Sequence, residues 1–148
     1  MRKFYIIEEF KHLNPILPRR QTTYSAGYDF SSIENVTIKP NEVKLVKTGL
    51  KVEMPKDEVL LVFPRSSLAI KKSLTMSNNV GVIDADYYNN EDNEGHIMIP
   101  FINYGTKEVM IEARERVAQG IFVKYGITAD DNPVNESRSG GFGSSDKE

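Results

Sequence analysis

At 148 residues the chain is long enough for one domain with its own core, and its 19 basic against 21 acidic side chains give a net charge of −2. That balance excludes the broad positive surface needed to bind duplex nucleic acid, though a local cluster for a small phosphate-bearing molecule remains open. Cysteine is absent, which excludes disulfides, thiol nucleophiles and thiolate metal sites and makes the cytoplasm the default location.

The apolar run at residues 4–7 stops at Glu8, too short for a signal segment or a membrane span, so a first strand is predicted and no membrane association. Gly27 permits a turn before a strand that opens with the exposed acid Asp29. Short apolar runs follow at 36–38, 43–46, 50–54 and 59–63, punctuated by Pro, Asn, Gly and Lys. The last ends at Pro64, and Ser66 or Ser67 is placed to cap one short helix over 66–72. Arg65 beside that helix start makes a site for an anion. Residues 80–83 read as a strand, expected to pair as a hairpin with 95–100 across a polar tip at 89–94. Further runs lie at 97–102, 109–113 and 117–123. Many short strands with a single helix indicate an all-β sandwich or barrel. His12 and His96 have no partner at metal-ligand spacing and read as surface residues.

Asp84 follows directly on the apolar residues of its strand, with Asp86 and Tyr87 next. A carboxylate held on a rigid element in this way sits where a catalytic base belongs. From Ala129 apolar side chains almost disappear, so residues 1–128 are expected as the core and 129–148 as a mobile C-terminal arm. Phe142, set among glycines, cannot pack within that arm and is expected to dock elsewhere.

In order, Ala26-Gly27-Tyr28-Asp29, Pro64-Arg65-Ser66-Ser67, the stretch 81–87, Arg116-Val117-Ala118-Gln119 and the stretch 138–145 resemble the five motifs of the homotrimeric deoxyuridine triphosphatases, the dUTPases. The resemblance implies a β-clip, or distorted jelly-roll barrel, assembled as a homotrimer whose active sites each draw on three chains. It implies hydrolysis of dUTP to dUMP and pyrophosphate by attack of water on the α-phosphorus. Asp84 matches the general base, Arg65 is expected to bind phosphate, and Asp29 matches an outer-shell acid that orients water or Arg65. Ser66, Ser67 and Gln119 match phosphate contacts, while Arg116 is either a further contact or a structural ion-pair residue. A triphosphate carries roughly four negative charges and Mg²⁺ cancels two, leaving about two, which Arg65 and Arg138 would balance. The metal is expected on substrate phosphates and water, with no direct protein ligand. Asn78, and Gly81 and Met98 through main-chain atoms, match the uracil contacts. Tyr87 matches the ring under the deoxyribose, and Gly141, Phe142, Gly143 and Ser144 match the part of the arm that closes over the base.

The resemblance is broken after Tyr87-Tyr88, where six extra residues precede Gly95, and at Arg114, where a turn glycine is usual. Similar insertions occur in relatives from phages of Gram-positive bacteria, some of which bind repressor proteins, so a protein partner at the 89–94 tip is one alternative function. The other is a dCTP deaminase-type relative of the same fold.

Overall fold

The computed structural model describes residues 1–136 and Arg138. Strands β1 (Lys3–Ile6), β2 (Tyr28–Ser31), β3 (Val36–Ile38), β4 (Val43–Lys47), β5 (Leu50–Glu53) and β6 (Glu58–Pro64) precede one α-helix, α1 (Ser66–Lys72). After it come β7 (Leu74–Met76), β8 (Gly81–Asp84), β9 (Met98–Asn103), β10 (Val109–Ile111) and β11 (Arg116–Lys124). Two 3₁₀ turns, Glu8–Leu13 and Ala85–Tyr87, were not expected from the sequence. No helix among the described residues is long and apolar enough to cross a membrane.

The alternation that marks these segments as strands also decides which face is buried. In β6, Glu58, Leu60 and Val62 are buried between half-buried neighbours, and in β9 the buried residues are Ile99, Phe101 and Asn103. Leu60, Val62, Ile99 and Phe101 join Phe30, Ile38, Val46, Leu50, Leu74, Ile111 and Val117 in one apolar cluster. All strand pairing is antiparallel, in sheets ordered β2-β11-β6-β8, β4-β9-β7, β1-β5 and β10-β3. The protein is thus mostly β with one short helix, as expected, but no sheet closes into a barrel.

Two local expectations are corrected. Strands β8 and β9 do not form a hairpin: β8 pairs with β6 in one sheet, and β9 with β4 and β7 in another. The connection between them joins two sheets, so it does not have to be a tight turn. At the start of α1 the N-cap is Arg65, in extended conformation, and no side chain caps the helix; neither Ser66 nor Ser67 plays that part. Beyond β11 the described residues 126–136 are exposed. The remainder of the expected arm, including Gly141, Phe142, Gly143 and Ser144, lies outside the described residues.

Asn103 ties the sheets together. Its fully buried amide donates to the carbonyls of Ile38 (2.9 Å) and Lys107 (2.8 Å) and accepts the Gly105 N–H (2.9 Å), so each of its polar atoms is satisfied inside the core. Replacing it by Leu would leave the buried Ile38 carbonyl, the Lys107 carbonyl and the Gly105 N–H without that partner. Asn103→Leu is expected to lower unfolding free energy by about 2–4 kcal/mol, read from the urea midpoint at unchanged slope.

Candidate active site

Because β8 and β9 belong to different sheets, they part and leave a cavity of about 270 Å³ between them. Asn78, Gly81, Asp84, Tyr87, Met98 and Arg138 all line it. Among the described residues strand β8 is paired on one side only, with Gly81 opposite Val62 and Asp84 opposite Val59. On β9, pairing to β7 runs from Asn103 to Phe101 and continues with the Ser77 N–H to Pro100 O bond, so among the described residues no strand lies beside Met98 and Ile99 on that side. Two backbone edges therefore face one cleft, and buried main-chain polar groups demand partners.

Asp84 ends β8 with its carboxylate half exposed, beside the Arg138 guanidinium, whose side chain is 15% exposed. Arg138 Nη2 donates to Asp84 Oδ2 at 2.5 Å and Nε donates to Asp86 Oδ1 at 3.1 Å. Tyr87 lies in the 3₁₀ turn rather than in a strand; its hydroxyl donates to His96 O (2.7 Å) and accepts from Asn93 Nδ2 (2.8 Å). Burial raises the Tyr87 phenol above its ordinary pKa, so it keeps its proton to donate.

A second group sits elsewhere. Asp29 of β2, 15% exposed, accepts from Arg116 Nη1 at 3.1 Å, so Arg116 is an ion-pair residue and Asp29 binds it rather than Arg65. Arg65 Nη1 donates instead to the Arg116 carbonyl at 3.3 Å. Ser66 and Ser67 open α1 next to it, and Gln119 of β11 is in register with both Asp29 and Phe63. A Cβ on Gly27 would lie 2.4 Å from Gln119 Oε1, so the glycine lets the turn approach that amide.

The two groups flank β6 at different heights. Asp84 is level with Val59, whereas Gln119 is level with Phe63 and Arg65 follows the end of the strand. At the rise of an extended chain, Val59 to Arg65 spans roughly 20 Å. Within one chain, therefore, Asp84 and Arg65 do not meet.

The sequence reading missed the support beneath the cavity. His96 is 4% exposed, not on the surface: its Nε2 accepts the Gly49 N–H at 2.9 Å, and its ring lies 4.6 Å from that of Phe10. Asn90 is also buried, although 89–94 was expected as an exposed tip. Repeated Asn residues were the available signal, but they read as turn chemistry, and nothing local distinguishes a solvated turn from one folded back on the protein.

A dUTPase family model matches residues 14–146. The chain is 46% identical over 145 residues to the deoxyuridine 5'-triphosphate nucleotidohydrolase of Lactococcus lactis subsp. lactis (strain IL1403), covering 97% of each chain. The crystal structure of the dUTPase from Streptococcus mutans superposes with a TM-score of 0.79 at 43% identity, covering 84% of this chain and 97% of that one. A dUTPase from phage phi11 of S. aureus, a structure that shows coordination of a structural Mg(II) ion, shares the fold with a TM-score of 0.75 at 22% identity over 92% of this chain and 98% of that one.

Burial, reinforced by the nearby Lys47 ammonium and opposed by Glu94, pushes the His96 imidazole down to about 4 from its ordinary 6.5. The unfolded chain then takes up a proton that the native state refuses, so the stabilisation is full above pH 6.5 and is lost as pH falls to about 4. The loss attributable to His96 is about 3 kcal/mol. Urea midpoints across that range should fall more steeply for the wild type than for His96→Gln, whose amide oxygen can accept the Gly49 N–H without titrating.

Proposed function

The chain belongs to the dUTPase family, and on that premise we propose that it hydrolyses dUTP to dUMP and pyrophosphate in sites shared among the copies of a homotrimer. The observation that carries the sharing is the division of the motif residues between two ends of β6, with Asp84 at one and Arg65 at the other. A base and an anion clamp roughly 20 Å apart cannot act on one phosphate chain, but a neighbouring copy can bring one to the other. Exposed Val82 (63%) and Ile70 (82%), beside Asp84 and on α1, are apolar side chains that such contacts would cover.

In this reading uracil enters the cleft between β8 and β9. Its acceptor-donor-acceptor edge pairs with main-chain groups of Gly81 and Met98 and with Asn78, completing the open edges. Cytosine presents a donor where uracil accepts, leaving buried groups unpaired at about 1–3 kcal/mol each. Tyr87 lies under the deoxyribose and leaves no room for a 2′-hydroxyl. Asp84 accepts a proton from the water that attacks the α-phosphorus in line, and pyrophosphate leaves. Arg65, with Ser66, Ser67 and Gln119 from another copy, holds the phosphates, while Asp29 fixes Arg116. Phe142 stacks on the base, helped by Gly141, Gly143 and Ser144, a contact worth roughly 1–3 kcal/mol by analogy with base stacking.

Arg138 has two uses here. In the free chain it occupies Asp84; with substrate bound it turns to the phosphates and frees the base. A partly exposed ion pair is worth about 0–1 kcal/mol, so a triphosphate readily outcompetes it. Among the described residues no three acids or histidines gather as a metal cage. Mg²⁺ carried on phosphate oxygens and water needs none, and it would supply charge neutralisation at the phosphates. Such an enzyme works where free nucleotides are, in the cytoplasm.

Asp84→Asn is expected to keep dUTP binding and to lose turnover by at least about a hundredfold, measured by pyrophosphate release across all dNTPs with and without Mg²⁺. Shared sites make a sharper expectation. When inactive Asp84→Asn and Arg65→Ala chains are unfolded together and refolded at equal amounts, roughly a quarter of the sites should receive both intact residues. No recovery of activity in the mixture would end the shared-site proposal.

A further inference from the structure

Residues 89–94 form a closed polar brace beneath Tyr87. The buried Asn90 uses its whole amide: Oδ1 accepts the N–H groups of Asp92 (3.0 Å) and Asn93 (3.1 Å), and Nδ2 donates to Tyr87 O and to Asn93 Oδ1, both at 2.8 Å. Asn93 Oδ1 also accepts the Gly95 N–H at 3.1 Å. These backbone donors fix which way both amides point, so the atom that Asn93 turns to the Tyr87 hydroxyl is its N–H donor, at 2.8 Å. The hydroxyl in turn donates to His96 O at 2.7 Å. Gly95 makes the return possible: its φ is +92°, and a Cβ there would lie 2.9 Å from Tyr87 O. From the outside, Lys51 Nζ donates to Asn89 Oδ1 and Glu94 Oε2, each at 2.6 Å, anchoring the loop on β5.

A ring that only leans against a sugar rejects an added hydroxyl by at most about a hundredfold, and by less if the ring can retreat. Here the far end of the ring is held by a donor and an acceptor at once, on a loop that is itself hydrogen-bonded throughout. We infer that Asn93, oriented by Asn90, is a positioning residue for the choice of deoxyribose over ribose. It pins the Tyr87 hydroxyl so that the ring cannot give way to a 2′-hydroxyl. The inference rests on the reading that Tyr87 lies under the sugar of dUTP, and it assigns the insertion to substrate selection.

The test compares kcat/KM for dUTP and UTP on the full-length protein. Asn93→Ala removes the donor to Tyr87, together with the acceptor for Gly95 and Asn90, and puts no new hydrogen-bonding group beside the hydroxyl. It should raise UTP use relative to dUTP by about tenfold, chiefly through a lower KM for UTP. Tyr87→Phe, which removes the pinned hydroxyl and leaves the loop sequence intact, should relax selection to a similar extent, and adding Asn93→Ala to it should change the ratio by less than Asn93→Ala does alone. An unchanged dUTP:UTP ratio in Asn93→Ala or Tyr87→Phe, while Tyr87→Ala does shift it, would overturn the positioning role alone. Full additivity in the double variant would overturn it too. No shift even in Tyr87→Ala would overturn the placement of the sugar, and the inference with it.

Discussion

The separation of β8 from β9 is the constraint from which the rest of the site follows. In an uninterrupted sheet these strands would satisfy one another, and no cleft would exist. Instead β6 holds one and β4 with β7 holds the other, so backbone donors and acceptors are presented to a cavity at a fixed spacing. Such a pair of edges selects a flat ligand with its own alternating hydrogen-bonding edge, because only that ligand restores the lost pairing. Asp84 is the last residue of β8 and Tyr87 closes the 3₁₀ turn that follows it directly, so both are carried by a paired strand.

Much of this was legible in the sequence, because period and punctuation are local signals. The runs at 36–38, 59–63 and 117–123 are strands, 66–72 is the helix, the motif segments at 26–29, 64–67 and 116–119 lie at strand ends, and the one at 81–87 is β8 with the turn that follows it. What was not legible is pairing across distance. Two apolar runs flanking a polar stretch look like a hairpin whether or not they bond to each other, and the choice was made by β6 and β4, remote in sequence. The same holds for His96 and Asn90. Their side chains are ordinary surface types, and it takes partners such as Gly49, Phe10 and Tyr87 to hold them inside. Ser66 and Ser67 misled for a different reason: good capping residues stand there, yet the helix begins with Arg65 in the cap position.

Arg114, where the resembled pattern leads one to expect a glycine, has a glycine-like backbone. It occupies a turn at φ +74°, the left-handed region in which glycine is at ease. Holding a residue with a side chain in that region costs strain of order 1–2 kcal/mol. The Arg114 guanidinium donates to Asn14 O at 3.0 Å, a bond of about 1 kcal/mol that offsets part of that strain and links the N-terminal segment to the entry of β11.

The placement of Asp84 and Arg65 at opposite ends of one strand has a further meaning under the proposed sharing. A newly made chain can complete its fold and still be inert, since it carries a proton acceptor with no phosphate grip in reach. Competence would then arise only on encounter with its own kind, which makes the onset of chemistry steeply dependent on how many copies are present and shields the nucleotide pool from solitary chains.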